Sequence, residues 1–138
     1  MRIMGLDIGK KRIGIAICDP MGWTAQGHST LYRKHLEADL KSIQKVCEEY
    51  EVERIVLGYP LNMNGTIGPK VLEVQDFGNQ LAEVTGLPID YWDERLSTVS
   101  SERVLLEADV SRKKRKGVID KLAAVTILQG YLDRLSHK

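Results

Sequence analysis

The first nineteen residues, MRIMGLDIGKKRIGIAICD, restrict the fold more than any other stretch of the chain. Residues 2–8 (RIMGLDI) are apolar on both faces apart from Asp7. A strand built from them has no side to give to water and belongs inside a sheet covered on both sides. Residues 9–12 (GKKR) supply a tight turn, and 13–18 (IGIAIC) form a second apolar run. Asp19-Pro20-Met21-Gly22 is a further turn signal, and a third strand over about residues 23–31 completes a meander.

The period then changes. Leu36, Leu40, Ile43, Cys47 and Tyr50 step by 4, 3, 4 and 3, which is one face of an amphipathic helix. Residues 52–58 (VERIVLG) read as a buried strand ending at Gly58, and 59–69 as a loop. Pro69 suits a first helical turn, and Val71, Val74, Phe77, Leu81 and Val84 lay an apolar stripe behind it. Gly86-Leu87-Pro88 ends that helix, and a short strand runs to Asp93. Ser97 or Thr98 caps another helix with Val99, Leu105 and Leu106 apolar. A last helix over about 118–135 carries Leu122, Ala123, Val125, Ile127, Leu128 and Tyr131. The order β-β-β-α-β-α-β-α-α predicts an α/β fold, a mixed five-stranded sheet with helices on both faces. Functional groups in such sheets collect at the carboxyl edge of the strands.

At 138 residues the chain is expected to be one domain, 1–138. Its 43% hydrophobic content excludes disorder. No apolar run nears the roughly 20 residues of a membrane span, and the N-terminus is no signal peptide. Cys18 and Cys47 suit reduced core thiols, so a cytoplasmic protein with no membrane partner is expected. The net charge of +1 hides an asymmetry. Residues 95–138 hold 10 Lys and Arg against 5 Asp and Glu, whereas 1–94 hold 10 against 14. Half of the C-terminal cations form one run, Arg112, Lys113, Lys114, Arg115 and Lys116. Such a run is either a solvated loop or a contact to a phosphate backbone.

Three acidic positions could carry chemistry. Asp7 interrupts an apolar strand, where a carboxylate needs a partner or a metal; it could instead accept N–H bonds from the turn after Gly9. Asp93 and Glu94 end a short strand before Arg95, and could serve as an ordinary ion pair or hold a cation. Alternation sends the two to opposite faces, so one is the expected ligand, and the sequence leaves open which. Asp120 is expected in the first turn of the last helix, with Ala123 and Ala124 beneath it on the same face. Those small residues would let the helix approach the sheet near Asp7. Carboxylates without Cys or His suit Mg²⁺ or Mn²⁺ rather than zinc. Two such ions roughly 3.5–4 Å apart support phosphodiester hydrolysis. The common hydrolase and nucleotide-loop motifs are absent. The loop GYPLNMNGTIGP leads into a helix whose unpaired first amides form a candidate anion site.

Four segments in order, GLDIGKKRIGIAICD, GYPLNMNGTIGP, WDERLST and DKLAAVTILQGYL, resemble the YqgF family, also called RuvX, of the RuvC-like branch of the RNase H-like superfamily. The resemblance runs nearly end to end. It implies an RNase H-like domain with strand order 3-2-1-4-5 and a nuclease of the pre-16S rRNA, acting at its 5′ end in the bacterial cytoplasm. Carried over by position, the catalytic acids are Asp7, Asp93 or Glu94, and Asp120, with Asp7, Glu94 and Asp120 as metal ligands. RuvC has a further helix acid where this chain has Ala123 and Ala124, so three acids rather than four are expected.

Lys10, Lys11, Arg12, Arg95 and the run Arg112, Lys113, Lys114, Arg115 and Lys116 are the expected nucleic-acid contacts at the rim of the acids. The expected partner is structured RNA, with branched DNA as the alternative, and the chain is expected as a monomer or weak homodimer. Two other activities fit the same residues. A Holliday junction resolvase would need two facing active sites, and a nucleic-acid-binding, transcription-associated factor would keep the acids with little catalysis. Asp7 before a Gly and a basic turn also resembles an actin-like ATPase loop, but those proteins need a second domain to close on the nucleotide.

Overall fold

The computed structural model describes residues 1–60, 65, 67–93 and 112–136, with the backbone alone for 112–117. The elements are β1 (Ile3–Ile8), β2 (Arg12–Cys18), β3 (Ala25–Tyr32), α1 (Leu36–Glu49), β4 (Arg54–Tyr59), α2 (Pro69–Thr85), β5 (Ile89–Asp93) and α3 (Arg112–Ser136). The helix expected after Ser97 lies outside the described residues. The sheet order is β3-β2-β1-β4-β5, as expected. β1 pairs antiparallel with β2, and β2 with β3; β1–β4 and β4–β5 are parallel.

Helices cover both faces, and alternation along β1 sorts the two cores. Met4, Leu6 and Ile8 join Ile13, Ile15, Ile43, Ile55, Leu57 and Phe77 beneath α1 and α2. Ile3, Ala16, Val56 and Trp92 pack against Ala124, Ile127, Leu128 and Tyr131 of α3. Both sets are buried, which is why β1 and β2 lack the polar alternation of a half-exposed strand.

The helix ends follow local chemistry. His35 caps α1, its ring nitrogen accepting from the Ala38 N–H. Pro69 opens α2, and Gly86 closes it at φ 70° with its N–H donating to Ala82 O. Asp39, only 2% exposed, accepts from Arg33 Nε at 3.2 Å and from the Lys34 N–H at 3.0 Å. A buried carboxylate persists because both partners meet its charge.

The last helix departs from expectation. It starts at Arg112, not near 118, so the basic run forms its first turns rather than a loop. Lys and Arg are good helix formers and need no apolar period to extend a helix beyond the sheet, and Gly117 does not break it. Asp120 is consequently the ninth residue of α3, outside the first turn, and the dipole argument for it falls away.

What sets α3 against the sheet is a patch whose side chains are no larger than a methyl group. Gly5 pairs with Ala16 and Ala16 with Gly27, while Asp7 pairs with Gly14. A Cβ on Gly5 would lie 2.7 Å from Leu128 Cβ and 3.1 Å from Ala124 O. One on Gly14 would lie 1.9 Å from the Asp120 carbonyl oxygen, and one on Gly27 would meet the Lys121 stem at 2.8 Å. Lys121 can move aside, but backbone cannot. Gly14→Ala should therefore cost about 3 kcal/mol or more, beyond ordinary overpacking, because α3 must lift. Urea unfolding measures this, and a loss below about 1 kcal/mol would refute so tight an approach.

Candidate catalytic face and its cations

Asp7 and Asp120 reach the same face of the sheet through Gly14. Asp7 and Gly14 are opposed across β1 and β2, so both point towards α3, and the missing Cβ of Gly14 is what the Asp120 backbone occupies. Asp7 is half-buried at the carboxyl end of β1. Arg12, two residues before Gly14 on the same face, donates from Nε to Asp120 Oδ2 at 2.5 Å. Those side chains are 25% and 19% exposed, so the pair is sheltered and orients the carboxylate more than it stabilises the fold.

The expected third acid divides as alternation requires. Ile89 and Tyr91 pack into the α1–α2 core, while Trp92 packs against α3 and Asp90 accepts from Tyr131 of α3. Asp93 therefore shares the face of Tyr91, and its β4 partner Tyr59 takes a hydrogen bond from Gln75 of α2. By alternation this is the face opposite to that of Asp7. Glu94 and Arg95 lie outside the described residues. Among the described residues no three His, Cys, Asp or Glu side chains form a metal-holding group.

The basic turn 9–12 also divides. Arg12 joins the acids, whereas Lys10 and Lys11 line a cleft of about 1190 Å³ that Ile8, Val74 and Phe77 also line from the α1–α2 side. All three were expected at the acidic rim; Arg12 opens β2 on the face of Gly14, while Lys10 and Lys11 belong to the turn before it, outside the strand's alternation. Of the run Arg112, Lys113, Lys114, Arg115 and Lys116, the backbone is helical and leads directly into Asp120. The sequence reading missed Gly14 and Arg33 as site-building residues. Glycines at 5 and 14, spaced so that both face one side of paired strands, were the signal for Gly14. Nothing in the local sequence marks Arg33.

Among the described residues, the histidines and cysteines are occupied elsewhere. His28 packs edge-on against Tyr50 and His35 caps α1, so neither supplies nitrogen to Asp7 or Asp120. Burial raises the Cys18 thiol above its ordinary range and pushes Cys47 up to about 12. Neither is a nucleophile at neutral pH. The raised Cys47 value contributes stability that is complete below about pH 8.5 and is lost as pH rises towards 12. Both thiols should resist a disulfide reagent at pH 8 and react once guanidinium unfolds the chain. Rapid modification of the folded protein would contradict this burial.

Comparison with known proteins follows the same geometry. A profile of the RuvX family, described as Holliday junction resolvase, matches residues 1–134. A protein of Syntrophomonas wolfei is 68% identical over 133 residues, covering 96% of this chain and 94% of its own length. One from Clostridium botulinum strain Alaska E43 is 53% identical over 136 residues, 99% of both chains. Each bears the name "Putative pre-16S rRNA nuclease". Among solved structures, Thermus thermophilus RuvC in complex with a Holliday junction superposes with a TM-score of 0.61 at 14% identity, covering 99% of this chain and 96% of that one. The fowlpox virus resolvase with junction DNA gives 0.57 at 14% identity, with 98% and 99% covered. These likenesses are to RuvC-like resolvases and establish the RNase H-like fold. With a match over residues 1–134 and close relatives along its whole length, the chain belongs to the RuvX family.

Proposed function

We propose that this chain is a metal-dependent endonuclease of structured RNA that processes the 5′ end of the 16S rRNA precursor in the cytoplasm. The observation that carries the reading is the placement of Asp7 and Asp120 on one face at the carboxyl edge of β1, with Arg12 fixing Asp120. The names of the relatives supply the substrate. Asp7, Glu94 and Asp120 are assigned as metal ligands and catalytic acids; Asp93 is set aside because alternation gives it the other face. The donors are all oxygen, and both described histidines are engaged elsewhere, which fits Mg²⁺ or Mn²⁺. Such ions, when bound, lower the pKa of water and neutralise charge on the attacking and leaving oxygens.

This chain's own groups do the positioning. Asp7 is fixed by the central strand, and Asp120 by Arg12 and by contact of its backbone with Gly14. The cations from Arg112 to Lys116, one to two helical turns before Asp120, draw in a polyanion that bare carboxylates would repel, and Arg95 beside Glu94 adds to them. The family description favours one other substrate, the four-way DNA junction. Incubating the protein with Mg²⁺ or Mn²⁺, an rRNA precursor and a synthetic junction in parallel separates the two. Preferential junction cleavage would make it a resolvase, and binding of either without cleavage would make it a nucleic-acid-binding factor.

Asp7→Asn is isosteric and removes one negative charge from the acidic face, so the metal-free thermal midpoint should hold or rise. Cleavage should fall at least 100-fold; largely intact cleavage would make Asp7 structural. Replacing Lys113, Lys114 and Arg115 with Ala should weaken RNA binding without sequence preference. It should also flatten the slope of log K against log salt by up to about 0.7 per lost single-strand contact. Unchanged affinity and slope across a salt series would show the first turns of α3 to be merely solvated.

A further inference from the structure

Asp7 and Asp120 do not line the cleft on the α1–α2 side, and cations do. Four lysines line it from three separate segments: Lys10 and Lys11 on the turn after β1, Lys34 between β3 and α1, and Lys70 at the start of α2. All four are exposed, and none is ion-paired to a described residue. Glu73 and Asp76 are the two carboxylates in its lining besides Asp39, which Arg33 neutralises. Pro69, in the same lining, opens α2 without any side-chain cap from Gly68, so helix amides add to the positive potential.

The walls are tied together. Arg33 donates to Gly9 O at 2.9 Å and to Asp39, and its guanidinium lies 5.4 Å from the centre of the Phe77 ring. One side chain thereby joins the turn, α1 and α2, and the Arg33 N–H donates to Lys11 O at 2.9 Å. The volume, about 1190 Å³, exceeds the roughly 300–1,000 Å³ of a pocket for a compact ligand. The same turn carries Arg12 to Asp120 on the opposite face.

We propose that this cleft binds the sugar-phosphate backbone of the substrate nucleic acid away from the scissile position, the strand crossing the turn 9–12 between the lysines and the acids. The proposal rests on the nuclease reading for its substrate class, and its test needs no cleavage. Binding of a fluorescent single-stranded RNA is followed by anisotropy in EDTA across a salt series. Lys34→Gln/Lys70→Gln is compared with Lys41→Gln/Lys45→Gln, which makes the same charge change on exposed α1 positions outside the cleft. The cleft variant should bind about tenfold more weakly, with a slope shallower by up to about 1.4 for two lost contacts. The control should match the wild type, and all three should share one thermal midpoint.

Equal affinities for the two variants would overturn the cleft while leaving the nuclease reading intact. So would wild-type binding of duplex alone. Binding of adenosine monophosphate that is lost in the cleft variant, with RNA affinity unchanged, would make the cleft a small-anion site and overturn it as a strand path. Absence of any nucleic-acid binding by the wild type would overturn both readings together.

Discussion

The arrangement depends on one steric constraint, the approach of α3 to a part of the sheet that carries glycines and a single alanine. Gly5, Ala16 and Gly27 form a row across β1, β2 and β3, and Gly14 lies beside it opposite Asp7. The Asp120 carbonyl occupies the space a Gly14 side chain would fill, so the helix backbone touches strand backbone. An acid on the helix and an acid on the strand thereby become neighbours although 113 positions separate them in the sequence. Ala124, fully buried against Gly5, continues the contact one turn on. Ala124 thus serves the packing that positions Asp120.

Much of this was legible because the underlying signals are strong and local. Continuous apolar runs at 2–8 and 13–18 specify buried central strands, and a meander followed by parallel crossovers leaves few sheet orders. Pro69 and Gly86 bound α2, Pro69 because its fixed φ suits a first helical turn and Gly86 because it takes the positive φ that other residues rarely adopt. The start of α3 was misjudged because five cations carry no apolar period, and periodicity reports only the part of a helix that touches a core. The choice between Asp93 and Glu94 could not be read locally either. Alternation says the two face opposite ways, but only the packing of Trp92 on α3 and Tyr91 on α1–α2 says which face Asp93 takes, and Glu94 lies outside the described residues.

Arg33 shows a different limit. In sequence it is one of two basic residues after an edge strand, yet it meets a buried carboxylate, a turn carbonyl and an aromatic ring from three elements. Its role depends wholly on long-range geometry. The Arg12–Asp120 pair is similar, formed across 108 positions, though both residues drew attention for other reasons.

Charge placement completes the physical argument. Carboxylates grouped on one face repel a polyanion, and cations placed among them would cancel the field that holds a divalent ion. The fold separates the two at the sheet edge. Arg12 pairs with Asp120, whereas Lys10 and Lys11 in the turn line the cleft on the α1–α2 side with Lys34 and Lys70. The second group of cations precedes Asp120 along α3, one to two turns, or about 6–12 Å of helix, before it. The two groups of cations therefore belong to different elements, the lining of the cleft and the first turns of α3. One strand turn and one helix, both anchored by backbone contact at Gly14, establish that separation.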